Sequence, residues 1–319
     1  MHARKEIHLF PDKFTEKRRA TEARFFCIYS PSAKFESLRF AIVSGCKRVV
    51  VARIEGGRKG VNMATSNLIT GVKPKLVPLR PGRRTESTGR TVKNILLLSI
   101  PDREYNLIRP YLEYVELGHH TMLHRQGDQI ERAYFPNDGM VSLVVSTTDG
   151  RSVEVGIVGK EGMVGTPLAV GLRRAPYDAV IQIPGCAIAI DAKKLTSQLT
   201  QTPRLWLVLT RFVLMQGLQM AQVAACNRLH ELEQRLARWL LMCQDRVDSE
   251  ILYLTHEFLA QMLGTGRPSV SLAVGMLEHA GFIENFRGTI RVRNRKALED
   301  SACECYRVIQ HFNGGLGLK

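Results

Sequence analysis

The apolar pattern of this chain changes period at Asp191, from strand-like to helical, and that change decides the kind of architecture it can adopt. From about residue 93 to Asp191, short runs follow one another that are β-branched or alternate apolar with polar: YLEYVEL, IERAYF, GMVSLVVST, SVEVGIVG, DAVIQI and CAIAID. Turn chemistry separates them at Gln126-Gly127-Asp128, Asn137-Asp138-Gly139 and Asp149-Gly150. Strands this short and this closely spaced predict an antiparallel barrel or jelly roll. Ahead of them, SIPDREYNLIRPYL reads as a short helix. Pro101 and Asp102 stand in its first turn, where a missing N–H costs nothing and a carboxylate meets the positive end of the helix dipole.

Beyond Asp191 the period becomes helical, and residues 203–247 predict two helices. In the first, Leu205, Leu209, Phe212, Gln216, Met220 and Val223 recur at spacings of three and four. Such a stripe suits the seam of a two-chain coiled coil, and equally a face packed on the barrel of the same chain; periodicity alone does not separate the two. The second helix, around residues 231–245, begins polar and turns apolar at Trp239-Leu240-Leu241-Met242, and it opens a further domain.

Residues 254–294, LTHEFLAQMLGTGRPSVSLAVGMLEHAGFIENFRGTIRVRN, spell two short helices and a β-hairpin, the pattern of a winged helix-turn-helix. Thr255 can cap the first helix, Ala260 is small where the second would cross, and Gly264 permits a left-handed turn. Val270 and Ala273 then face inward, Pro268 suits a first helical turn, and Gly281 ends that helix. Asn285-Phe286-Arg287-Gly288 turns the hairpin, with Arg287, Arg291, Arg293 and Arg295 expected at its tip and returning strand. A second helix of this kind lays its N-terminal residues along base edges in the major groove, so Arg267, Ser271 and Leu272 are the expected base readers. Arg267 leads them, because its fork takes both acceptors of a guanine. Thr255, Ser269, Arg287, Thr289 and Arg291 suit phosphate. Residues 250–300 are charge-neutral overall, so affinity has to come from local arrangement and from symmetry.

Charge is concentrated elsewhere. The net charge is +15, yet residues 1–90 hold 20 Lys and Arg against 7 Asp and Glu, and the rest of the chain holds 25 against 23. The stretch 56–91 is rich in Gly, Pro, Ser, Thr and Arg, so residues 1–90 read as a disordered basic extension. It can serve as a phosphate-binding arm, as a solvated tail, or as sequence upstream of a true start at Met63. Apolar stretches are cut by charge, as at Lys47-Arg48 and Arg211, which argues against a membrane partner. Seven cysteines without a C-x-x-C pair, and a start that lacks an apolar signal segment, point to a reducing, cytoplasmic setting.

The order barrel, long helix, winged helix-turn-helix resembles the family of the cyclic-AMP receptor protein and the fumarate-nitrate reductase regulator, over about residues 95–306. The likeness rests chiefly on GMVSLVVSTTDGRSVEVGIVGKEGMVG and LAQMLGTGRPSVSLAVGMLEHAGFI. It implies an α+β chain: the extension 1–90, a cyclic-nucleotide-binding-like β-roll sensor at 91–200, a dimerisation helix at 201–226, a winged helix-turn-helix at 227–306 and a tail at 307–319. It further implies a transcription regulator that is a homodimer zipped through the long helix, bound to a two-fold-symmetric double-stranded DNA operator. RNA polymerase is a further partner that activation would need. Thr255 and His256 match phosphate-contacting positions of the family, and Arg267 matches its base-reading arginine. Pro268 and Leu272 replace the glutamate and second arginine of the best-known recognition helix, so the operator is expected to differ.

The barrel departs further from that family. Gly162-Met163-Val164-Gly165-Thr166 falls at the nucleotide cassette, with Thr166 where the family's ribose-binding glutamate stands and Tyr177 near its phosphate-binding arginine. Arg173 and Arg174 lie close enough in sequence to take over the phosphate. The expected effector pocket is therefore Gly162, Gly165, Thr166, Arg173, Arg174 and Tyr177, without cyclic AMP. The clustered cysteines of an iron–sulfur branch are absent and no cofactor is expected; Cys303-Glu304-Cys305 can give two ligands or a redox pair, but such a pair near a terminal helix reads first as ordinary residues. The rival class is a cupin-like metal-dependent enzyme using His119, His120 and His124, although no H-x-H pair supports it. A third reading, in which wing and helix make only protein contacts, predicts no salt-dependent affinity for any duplex. No catalytic set is expected: G-x-S-x-G, P-loop and Rossmann fingerprints are missing.

Overall fold

A computed structural model describes residues 84–247 and 249–314, together with two three-residue strands further upstream. The chain divides into two units, residues 1–74 and 75–319. Of the first, the described part is β1 (Ala23–Phe25) paired antiparallel with β2 (Ala41–Val43). The disorder expected for the extension up to residue 83 lies outside the described residues. Residues 84–90 are ordered and belong to the barrel, which corrects the boundary expected at 90. Thr85 bridges Thr91, and Glu86 is fully buried. Its carboxylate accepts from the backbone N–H of Thr88 and Arg90 and from the Thr88 and Ser87 hydroxyls, and despite its burial these bonds hold it down at about 2.

The second unit opens with α1 (Ile95–Ser99) and α2 (Asp102–Ile108), then β3 (Glu113–Leu117), β4 (Met122–His124), β5 (Arg132–Ser146), β6 (Ser152–Val158) and β7 (Asp178–Asp191). The sheet order is β3-β7-β5-β6 with β4 also on β7, all antiparallel, which makes the expected β-roll. One turn expectation is corrected. Asn137-Asp138-Gly139 does not end a strand but kinks β5 in mid-course, where the register to β7 shifts. Gly139 adopts φ +77°, and a Cβ there would lie 2.5 Å from the Ile183 carbonyl oxygen. Gly185 faces it from β7, a would-be Cβ lying 2.5 Å from the Asp138 carbonyl carbon. Two opposed bulges let both long strands bend together, so each joins what pattern reading separates into two.

After β7, α3 (Ala192–Leu199) leads into α4 (Pro203–Leu229) and α5 (Leu232–Val247). The α4 stripe packs within the chain, one of the two alternatives that periodicity leaves open, so the dimer seam expected on these residues is corrected. Leu205, Leu209 and Phe212 are buried in the barrel core, Gln216 is buried, Met220 packs against that core, and Val223 is buried with the DNA-binding domain. By length and composition α4 is also apolar enough to cross a membrane, contrary to the expectation of charge-interrupted runs. One such helix is weak ground for a span, and its Leu205–Phe212 side is seated in the barrel.

The remainder is β8 (Ile251–Leu252), α6 (His256–Met262), α7 (Arg267–His279), β9 (Ile283–Phe286), β10 (Thr289–Val292), α8 (Arg295–Ser301) and α9 (Cys305–Gly314). The small sheet runs β8-β10-β9. Its core joins Trp239, Leu240, Leu259, Val270, Ala273 and Ile290, and it also takes in Met140, Val144 and Ile157 from the roll, so the two domains share a hydrophobic seam.

Candidate nucleic-acid interface and effector chamber

The helix-turn-helix forms for the local reasons legible in its sequence. The Thr255 hydroxyl accepts from the Phe258 N–H and caps α6. Gly264 turns the chain at φ +61°, and Pro268 stands in the first turn of α7. Val270, Ala273, Val274 and Leu277 bury one face of α7. The opposite face exposes Arg267, Ser269, Ser271, Leu272 and Met276, with Leu272 at 71% and Met276 at 56% exposure.

One side chain ties three elements to a single face. His256 Nδ1 lies 2.9 Å from the Ser271 hydroxyl on α7, and its Nε2 lies 3.4 Å from Asn285 Oδ1 on the wing. The wing is further fixed by the Asn285 N–H donating to Glu278 Oε1 at 2.9 Å and the Leu254 N–H donating to the Gly288 carbonyl. Thus His256 and Ser271, expected on phosphate and base, hold each other in the free chain. Asn285, which no spacing rule flags, completes the set.

The arginines divide. Arg267 and Arg287 are exposed and make no hydrogen bond or ion pair with any described residue. Arg291 and Arg293 are both drawn to Glu284, at 3.7 and 2.8 Å. Arg295 is not on the wing at all, which corrects its expected place. It starts α8 and bonds to Asp245, Gln244, Glu299 and the Tyr306 hydroxyl, holding α5, α8 and α9 together. Thr289, at the foot of β10, is half-buried.

In the roll, the residues expected as an effector pocket also find one another. The Thr166 hydroxyl, the Tyr177 hydroxyl and Gln216 Oε1 form a closed triangle with sides of 3.0, 2.9 and 3.0 Å. All three residues are buried, and burial raises the Tyr177 phenol above its usual range. Gln216 therefore ties α4 to the roll of its own chain. Gly162 is required by close approach, since a Cβ there would lie 2.3 Å from the Phe212 ring. Gly165, at φ +93°, starts the turn that presents Thr166. Arg174 is exposed and donates to the Gly127 carbonyl, whereas Arg173 buries Nε and Nη2 without a partner.

The histidines of the rival enzyme reading do not assemble a site. His119 and His120 stack ring on ring at 3.8 Å, and His124 is buried, with burial lowering its pKa. Among the described residues, none of the three belongs to a group with metal-ligand geometry.

Two family models match the chain: the cyclic nucleotide-binding domain over residues 114–202 and the Crp-like helix-turn-helix domain over residues 234–301. Their order and spacing are those of the β-roll and winged helix described above. The chain belongs to the Crp/Fnr family of transcriptional regulators. As a Crp/Fnr regulator it is a DNA-binding protein of transcription control. Solved structures agree on the fold. FixK2 from Bradyrhizobium japonicum superimposes with a TM-score of 0.53 at 15% identity, covering 60% of this chain and 98% of that one. The global regulator CLP of Xanthomonas campestris, described as responsive to c-di-GMP, gives 0.51 at 18% identity, covering 60% and 99%. A putative crp/fnr-family regulator from Eubacterium rectale gives 0.51 at 16%, covering 63% and 94%. No curated protein matches the sequence.

Proposed function

We propose that this Crp/Fnr regulator acts as a homodimer on a two-fold-symmetric operator, and that its roll reads a signal other than cyclic AMP. The observation that carries the DNA reading is the pair of His256 bonds to Ser271 and Asn285, which gather α6, α7 and the wing on one face beside the unpaired Arg267 and Arg287. Arg267 would take a guanine, Leu272 a thymine methyl, and Ser271 a base edge once His256 releases it. Thr255, His256, Ser269, Arg287, Thr289 and Arg291 would meet phosphate, Arg291 after exchanging Glu284 for the stronger anion.

The second copy is argued from the side of α4 that the roll leaves bare. Leu214, Gly217, Leu218, Ala221 and Ala225 are exposed there, and no charged residue stands between Arg211 and Arg228. Small residues at 217, 221 and 225 let two backbones approach, and a two-fold contact presents both recognition helices to successive turns of the groove.

Against cyclic AMP stands the Thr166–Tyr177–Gln216 triangle. It offers two hydroxyls and a carbonyl oxygen bonded to one another, neutral groups where a cyclic phosphate needs a charge. The unpaired buried nitrogens of Arg173 favour a small anion as the signal. The test is selection of bound duplexes from a random pool, with and without cyclic AMP. A palindrome with half-sites about one helical turn apart, unaffected by the nucleotide, is expected. An asymmetric motif would overturn the dimer, and recovery only with cyclic AMP would overturn the reading of the roll.

A further inference from the structure

Four side chains far apart in sequence meet where α4 ends against the C-terminal helix. Cys226 lies in the last turns of α4 and His230 just beyond it, while Cys303 and Cys305 flank the start of α9. The three thiol sulfurs and one ring nitrogen all lie within 4.8 Å of one another. Cys226 Sγ is 3.4 Å from Cys303 Sγ, and Cys305 Sγ is 3.5 Å from His230 Nδ1. A tetrahedral ion with thiolates at about 2.3 Å and imidazole at about 2.0 Å separates its ligand atoms by roughly 3.5–3.8 Å; the two close pairs are near that spacing, and all four atoms lie within 4.8 Å of one another. The space suits one ion; an iron–sulfur cluster would have to spread the ligands around its own atoms.

The surroundings have the form of a built site. His230 turns Nδ1 inward, and its Nε2 lies 3.2 Å from Glu304 Oε1, the carboxylate partner that orients a ligating imidazole. Gln222 Nε2 donates to Cys305 Sγ at 3.0 Å. All three cysteines are buried, and they form an apolar island of their own. Arg235 and Arg238 stand beside them, each with an Nε that is buried and unpaired, so negative charge on the sulfurs is welcome. The sulfur pair is well beyond the roughly 2.05 Å of a disulfide.

We propose that Cys226, His230, Cys303 and Cys305 form a closed site for a single soft divalent ion, zinc by its Cys3His chemistry, that fastens the end of α4 to the DNA-binding domain. The ion belongs to folding and geometry, since all four positions are filled by protein and none is left open for water. Little in the chain order announces it: C-x-C is an unusual spacing, and its partners lie 77 residues upstream at Cys226 and 75 upstream at His230.

The test uses the full-length protein purified without chelator. Elemental analysis is expected to find one zinc per chain. Replacing zinc with cobalt is expected to give the thiolate charge-transfer band and intense visible absorption of tetrahedral cobalt. Cys303→Ser and Cys305→Ser are expected to lose the ion, while Cys186→Ser, remote from the cluster, keeps it. Because a cysteine variant can fail to fold, Glu304→Gln provides the second readout. With all ligands intact it is expected to weaken zinc about 10- to 100-fold in a competition with chelator. Metal content below one tenth per chain even after zinc reconstitution would overturn the site, as would a cobalt spectrum that Cys303→Ser leaves unchanged. So would a Cys226–Cys303 disulfide in protein kept under reductant. None of these readouts uses DNA, so they stand or fall apart from the operator.

Discussion

Glu154 on β6 is fully buried between the two domains, and its ionisation should leave a measurable mark on stability. One carboxylate oxygen accepts from the Ser142 hydroxyl at 2.6 Å, the other from the Trp239 indole N–H on α5 at 2.6 Å. Burial lifts its pKa from 4.5 to about 7, against those two bonds and the nearby charges of Arg238 and Arg246. Cys243, also buried, is pushed up and stays a neutral thiol, and Arg246 is itself engaged by Glu161 at 2.8 Å. Because the folded state holds this proton more tightly than the unfolded chain, the stabilisation is complete below pH 4.5 and is lost as pH rises through 7. A rise of roughly 2.5 units corresponds to about 3 kcal/mol over the whole range, of which roughly 2–3 kcal/mol falls between pH 5 and pH 8. Glu154→Gln keeps an acceptor for Trp239 and lets the Ser142 hydroxyl accept instead of donate. The advantage of the variant over the wild type should therefore grow by about 2–3 kcal/mol from pH 5 to pH 8, whatever its offset at pH 5. Urea unfolding of both proteins at several pH values, followed by Trp fluorescence, measures that double difference, in which every other titrating group cancels. Parallel pH curves would refute the reasoning.

Three further outcomes follow from the same structure. Arg267→Ala should weaken operator binding by about 1–3 kcal/mol and relax preference at one base pair per half-site, read by binding to a panel of single-base operator variants; equal weakening on all duplexes would make it a phosphate contact. Leu218→Glu should give monomers by light scattering with the thermal transition retained, whereas Phe212→Glu should lose the cooperative transition, since it buries an unpaired charge in the roll. A dimer that survives Leu218→Glu would remove the bare side of α4 from the interface. Gly139→Ala should cost more than the about 1–2 kcal/mol of a left-handed conformation alone, because its Cβ would also meet the Ile183 carbonyl oxygen at 2.5 Å; a thermal midpoint near wild type would show that the bulge can relax.

What was legible in the sequence follows a physical divide. Caps, turns and periods are local, so the helix-turn-helix, its Thr255 cap, the Gly264 turn and the Arg287-Gly288 hairpin stand close to where spacing puts them. The roll was legible as strands, but the number of residues per strand was not. Asn137-Asp138-Gly139 has turn composition, and only the matching bulge at Gly185 on a strand far along the chain shows that it bends β5 instead of ending it. The α4 stripe failed for a related reason: a helix wedged between a roll, a second domain and a solvent side carries apolar residues on more than one face, and periodicity does not say which face meets which surface. Arg295 was misplaced because sequence puts it next to wing arginines, while Asp245 and Tyr306, which claim it, are remote.

The two domains are joined in this chain by contacts of unequal strength. At the tip, Gln261 of α6 donates to the Ser152 hydroxyl at 2.9 Å in an exposed bond, the kind worth about 1 kcal/mol or less net. Deeper in, Trp239 is held by Glu154, a buried bond that strengthens when the carboxylate is charged, to roughly 1.5–3 kcal/mol. Gln216 reaches back from α4 to Thr166 and Tyr177 through Oε1 while its Nε2 is buried without a partner, so a ligand that takes one hydroxyl would leave Gln216 a single bond to the roll. The recognition turn at Gly264, which lies against Val153 of the same hairpin as Ser152, is thus held to the roll beside the weaker of these two contacts.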